Sequence, residues 1–96
     1  MDIMEYLLLE MASILVDSEN IKRQSSDDLI DKMNAGIRER EEEMLEWCSL
    51  EDFLTAKRYY EEDIAKGEKT GLLRVSLQDL LDYTEELIAK KKERER

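Results

Sequence analysis

The stretch MDIMEYLLLEMASILVD, residues 1–17, decides the fold because its polar and apolar positions separate cleanly on a helix. At 100° per residue its polar side chains fall within an arc of roughly 140°. They are Asp2, Glu5, Glu10, Ser13 and Asp17. The apolar arc is wider than a surface helix needs. We therefore predict a helix over residues 2–17 that protein covers on more than one side, at the centre of the domain or at a subunit contact.

The rest of the chain indicates three further helices, because little in it interrupts regular structure. Proline is absent and glycine occurs three times. Apolar residues at helical spacing predict helices over 26–48, 50–66 and 77–92. Gly36 lies inside the first of these, and one interior glycine costs only ~1 kcal/mol against alanine. We expect that helix to be continuous; the alternative is a break at MNAG, residues 33–36.

Three short stretches share the form Ser-x-x-Asp-apolar-apolar: SSDDLI, SLEDFL and SLQDLL, beginning at Ser25, Ser49 and Ser76. In a capping box the serine oxygen accepts the backbone N–H three residues later, and the side chain there reaches back to the serine N–H. We interpret the likeness as three helix starts. A duplicated functional repeat is the alternative, but the spacings of 24 and 27 residues are unequal.

Four helices joined by short links predict an all-α fold, a small bundle. We assign residues 1–90 to one helical domain and residues 91–96, KKERER, to a charged and frayed tail. A chain of 96 residues builds only a thin core. We therefore expect dimerisation to complete the bundle, so that the protein is a homo-oligomer.

Charge is distributed unevenly along the chain, whose net charge is −10. Residues 1–65 carry eighteen acidic and seven basic side chains, whereas residues 66–96 carry seven acidic and eight basic ones. A nucleic-acid-binding protein needs a basic face to neutralise phosphates. We therefore expect no direct contact with nucleic acid, and we favour a protein partner with a basic surface.

Membrane insertion, metal binding and redox chemistry have little support in the sequence. The longest apolar run contains Glu5 and Glu10 and is shorter than the ~18 uncharged residues of a spanning helix. Its acidic start is unlike a secretory signal, so we expect a cytoplasmic protein without membrane contact. Cys48 is the single cysteine and histidine is absent. We expect no disulfide, metal, cofactor or catalytic residue.

An acidic run stands out in the second predicted helix. Its members are three or four residues apart in several pairs, so they can share a helical face: Glu39, Glu41, Glu42, Glu43 and Glu46. The run resembles the E-x-x-E element of all-helical nucleotide pyrophosphohydrolases, which implies a divalent metal and a metal-dependent hydrolase. A second acidic pair with suitable spacing is not present. A solvated acidic face is the favoured interpretation.

Aromatic residues near the middle of the chain are candidates for the core or for a contact. Trp47 and Phe53 lie close to a helix junction, and we expect both to be buried. Tyr59 and Tyr60 are adjacent, so only one of them can face inward. The predicted partner contacts come from the first helix and from these two tyrosines. They are Leu8, Met11, Leu15, Tyr59 and Tyr60.

These observations favour a small, acidic, cytoplasmic protein–protein interaction module that self-associates and acts as an adaptor, a chaperone-like partner or a regulatory inhibitor. The alternative is an acidic nucleic-acid mimic that inhibits a DNA- or RNA-processing enzyme. The metal-dependent pyrophosphohydrolase is the third hypothesis.

Overall fold

The computed structural model describes residues 2–96 and contains four α-helices and one short 3₁₀ turn. The helices are α1 (Ile3–Ile21), α2 (Asp27–Trp47), α3 (Leu50–Ala65) and α4 (Leu77–Arg94), and the 3₁₀ turn is Leu72–Arg74. Within these residues the only β-type pairing is an isolated bridge between Thr70 and Ser76. The predicted all-α bundle is confirmed. Met1, the first residue of the predicted domain, lies outside the described residues.

The central helix is α1, which contacts α2, α3, α4 and the 3₁₀ turn. Leu7, Met11 and Ala12 on this helix are completely buried, which accounts for the wide apolar arc. The helix also extends beyond its predicted end at residue 17 and continues through residues 18–21. The reason is Ile21, whose buried side chain anchors the additional turn. None of the helices in residues 2–96 has both the length and the apolar character that crossing a membrane requires.

A charged cluster joins α2 to α1. The Arg40 guanidinium donates hydrogen bonds to Glu10 Oε1 at 2.5 Å, to Asp17 Oδ2 at 2.6 Å and to Ser13 Oγ at 2.9 Å. Three polar side chains of α1, those of Glu10, Ser13 and Asp17, therefore face α2. The same contact explains why a charged side chain interrupts the apolar spacing of α2, which is continuous through Gly36 as expected.

The last turn of α4 is held against α2. Lys91 Nζ donates to the backbone carbonyl of Leu45 at 2.8 Å, and the Arg94 guanidinium pairs with the Glu42 carboxylate. Residues 91–94, which the sequence had indicated as a frayed tail, are therefore helical, and α4 ends two residues later than predicted. Cations in this last turn also complement the helix dipole.

Serine caps begin α2, α3 and α4, but the cap of α2 is Ser26 and not Ser25. The Oγ atoms of Ser26 and Ser76 accept the backbone N–H three residues later, at 3.4 Å in each case. Ser49 and Asp52 form a complete capping box, with bonds of 3.1 and 2.8 Å. α2 begins one residue later than the pattern suggested, and its first turn contains Asp27 and Asp28, which the helix dipole favours there.

The segment between α3 and α4 packs closely on α4. A Cβ atom at Gly71 would lie 2.8 Å from Leu80 Cδ1, so any other residue here would force the buried Leu80 side chain to shift. Leu73 and Arg74 both adopt left-handed backbone angles, with φ of +55° and +59°. Two such non-glycine residues in succession indicate a strained turn. The turn leaves the side chain of Leu72 50% exposed.

We predict that Arg40→Met lowers the free energy of unfolding by about 1–3 kcal/mol, because it removes three hydrogen bonds and leaves two acidic side chains without their partner. Urea denaturation measures the change. Arg94→Met is the matched control and should have little effect, because its ion pair with Glu42 is exposed to solvent. Equal losses in the two variants would contradict this account of the α1–α2 contact.

We also predict that Ser26→Ala destabilises the protein by about 1 kcal/mol, whereas Ser25→Ala has no measurable effect. Only Ser26 accepts a helix N–H. Thermal unfolding followed by circular dichroism distinguishes the two variants. A larger loss of stability in Ser25→Ala than in Ser26→Ala would show that Ser25 caps α2, as the sequence pattern indicated.

Candidate interaction surface

Exposed apolar side chains gather where α1 begins and α2 ends. Trp47 is 72% exposed and Ile3 is 41% exposed. With Tyr6, Asp2 and Glu43 they line a groove of about 520 Å³, which we name the Trp47 groove. Tryptophan is seldom left this open on the surface of a folded protein.

The expectation that Trp47 is buried is therefore wrong. Cys48, the next residue, is 1% exposed and takes the inward position at the end of α2. Phe53, the other predicted core aromatic, is completely buried, as expected.

A second groove, of about 380 Å³, lies on the other side of the α1 N-terminus, and Asp2 lines both grooves. We name it the Tyr59 groove. Besides Asp2, the side chains that matter for its chemistry are Glu5, Leu8, Tyr59, Tyr60, Asp63 and Leu72. It is built from α1, α3 and the 3₁₀ turn, so residues far apart in the sequence meet there.

Acidic side chains border both grooves. They are Asp2, Glu5, Glu43 and Asp63, and neither groove is lined by a lysine or an arginine. Within residues 2–96 none of these four carboxylates forms an ion pair. The pKa of Tyr6 is raised, first by burial and then by the negative charges of Glu10 and Glu43. We call the two grooves and their acidic border the interaction surface.

Three of the five predicted contact residues lie on this surface, and two lie elsewhere. Leu8, Tyr59 and Tyr60 come together in the Tyr59 groove. Met11 is completely buried in the core of its own chain, so it offers no surface to a partner. Leu15 is half-buried and lines a different depression, away from both grooves.

The two adjacent tyrosines point in different directions, as expected. Tyr59 is 49% exposed, whereas Tyr60 is 6% exposed. The Tyr60 hydroxyl is buried and has no hydrogen-bond partner among residues 2–96. Burial raises the pKa of Tyr60 far above its usual range. An unsatisfied buried hydroxyl costs about 1–3 kcal/mol, so this group lowers the stability of the free protein.

Two members of the predicted acidic face are paired within the chain. Glu41 accepts hydrogen bonds from Tyr83 Oη at 2.9 Å and from Lys90 Nζ at 2.8 Å. The hydrogen bond from Arg94 lowers the pKa of Glu42. The predicted face is therefore neutralised in part by cations of α4.

The other three members, Glu39, Glu43 and Glu46, are exposed, and none of them forms an ion pair within residues 2–96. Only Glu43 belongs to the interaction surface. In the described part of the chain no group of three or more acidic or cysteine side chains is arranged to hold a metal ion. Burial, followed by the charge of Asp52, raises the pKa of Cys48 to about 11, so this thiol is protonated at neutral pH.

Comparison of the chain with protein-family models, with curated proteins and with solved structures gave no match.

We predict opposite effects of removing two buried tyrosine hydroxyls. Tyr60→Phe should leave the free energy of unfolding unchanged or raise it, because the Tyr60 hydroxyl has no partner in the described part of the chain. Tyr83→Phe should lower it by about 1 kcal/mol, because the Tyr83 hydroxyl donates to Glu41. Urea denaturation of both variants provides the measurement, and a clear loss of stability in Tyr60→Phe would show that this hydroxyl is satisfied in the free protein.

Proposed function

We propose that this protein is a small, acidic, cytoplasmic interaction module that binds a protein partner through the interaction surface at the start of α1. The observation that carries the proposal is Trp47, which is 72% exposed beside Ile3 and Tyr6. Exposed tryptophan with neighbouring apolar side chains is typical of the centre of a binding site, because a large rigid ring gains much from burial. Adaptor, chaperone-like and inhibitory roles would all use such a contact.

The acidic border determines the chemistry of the partner. Four carboxylates that form no ion pair within residues 2–96 border the grooves, and the whole chain has a net charge of −10. A partner with an apolar anchor flanked by basic side chains would be complementary in both shape and charge.

Self-association, which the sequence favoured, fits this surface less well. A two-fold contact places the same patch of each copy against the other. Here that contact would bring acidic borders of the same sign together, at an energetic cost. We therefore propose a different protein as the partner. Self-association is a possible result of the binding experiment and would contradict this proposal.

The nucleic-acid mimic is the less supported alternative. A mimic presents a dense row of free negative charges, but Glu41 and Glu42 are already paired with cations of α4. Of the predicted acidic face, only Glu39, Glu43 and Glu46 are exposed and form no ion pair within residues 2–96.

The proposal is tested by affinity capture with tagged protein, followed by binding measurements on the purified partner. Trp47→Ser should weaken binding at least roughly tenfold, as expected for a residue at the centre of a contact. Leu29→Ser is the matched control, because Leu29 is also exposed, at 42%, but lies in the first turn of α2. It should bind like the native protein.

Three results would contradict the proposal. Equal binding by Trp47→Ser and Leu29→Ser would show that the interaction surface is not part of the contact. Recovery only of further copies of this chain would identify self-association. Loss of binding in Glu39→Lys and Glu46→Lys, with Trp47→Ser unaffected, would favour the nucleic-acid mimic.

A further inference from the structure

We propose that the Tyr59 groove binds an arginine side chain of the partner. This inference rests on the proposed function and specifies one part of the contact. Its first support is charge. Asp2, Glu5 and Asp63 line the groove, no basic residue lines it, and none of the three carboxylates forms an ion pair within residues 2–96. Such a groove attracts a cation and disfavours an anion.

The second support is the shape and character of the walls. Tyr59 is 49% exposed, and Leu8 and Leu72 line the same groove. An arginine side chain has an apolar stem that packs along aliphatic surface. Its planar guanidinium stacks on aromatic rings and bonds carboxylates in a fixed fork.

The third support is the Tyr60 hydroxyl, which is independent of the acidic residues. Tyr60 lines the groove and is 6% exposed, and its hydroxyl has no hydrogen-bond partner within residues 2–96. A guanidinium has five N–H donors and no acceptor, so one N–H can be donated to the Tyr60 oxygen while others reach a carboxylate. A lysine ammonium has three donors but no flat fork, and it fits the tyrosine and carboxylate set less well.

The N-terminus of α1 carries partial positive charge, which opposes a bound cation. Asp2 offsets this charge, because its Oδ1 atom accepts the Glu5 backbone N–H at 2.9 Å. Glu5 and Asp63 then supply the remaining attraction.

The experiment is an NMR titration of the ¹⁵N-labelled protein with N-acetyl-arginine-N-methylamide. We expect saturable shifts of the backbone signals of Glu5, Tyr59 and Asp63. The citrulline analogue has the same shape but no charge and should give no saturable shift. The lysine analogue should bind more weakly than arginine. The absence of saturable shifts at up to roughly tens of millimolar arginine analogue, or equal binding of citrulline, would overturn the proposal.

Two variants identify the groups involved. Tyr60→Phe and Asp63→Asn should each weaken binding of the arginine analogue roughly tenfold, the effect expected for loss of one charge-assisted hydrogen bond. Glu62→Gln is the control, because Glu62 is exposed beside Asp63 but does not line the groove. Native affinity in Tyr60→Phe and Asp63→Asn would overturn the assignment.

Failure of this inference is distinguishable from failure of the proposed function. If Trp47→Ser abolishes partner binding while arginine gives no shift, the Tyr59 groove has another role and the proposed function stands. If arginine binds in the groove while Trp47→Ser leaves partner binding intact, the arginine site stands and the Trp47 contact is wrong.

Discussion

The Arg40 guanidinium fixes where α2 lies along α1, and the interaction surface depends on that position. Its three hydrogen bonds reach Glu10, Ser13 and Asp17, which extend over roughly two helical turns. A shift of α2 by one turn would break all three bonds. Apolar packing alone tolerates such shifts more readily, because it has little directional preference. With Arg40 in place, the end of α2 comes to lie beside the start of α1, and Trp47 meets Ile3 and Tyr6.

The second half of the chain completes the surface from the other side. α3 and α4 pack directly against each other, and the segment that joins them lies close to α4 at Gly71. Next to the strained turn at Leu73 and Arg74, Leu72 is half exposed at the Tyr59 groove. An unsatisfied buried hydroxyl and a strained turn each lower stability where they occur. Tyr60 and Leu72 both line the Tyr59 groove.

Local signals in the sequence predicted the helices well, because periodicity, serine caps and a terminal glycine act within a few residues. Gly67, two residues after α3, has a φ of +90°, the left-handed conformation that favours glycine after a helix. Contacts between distant segments could not be predicted in this way. The cations that pair with Glu41 and Glu42 come 49 and 52 residues later in the chain, so the acidic run looked fully solvated. Trp47 did carry a usable signal: it lies off the apolar stripe of α2, on the side of Glu43. The Tyr60 hydroxyl gave none, because its burial depends on three separate elements.

The proposed contact requires that the surface around Trp47 is open in the free protein. Trp47 is the only tryptophan, so its fluorescence reports on this site alone. We would measure acrylamide quenching of Trp47 emission over a range of protein concentrations. We expect red-shifted emission and efficient quenching at every concentration, because the indole is 72% exposed. Blue-shifted emission with a protected indole would show that the site is already covered and that Trp47 is closed to a partner.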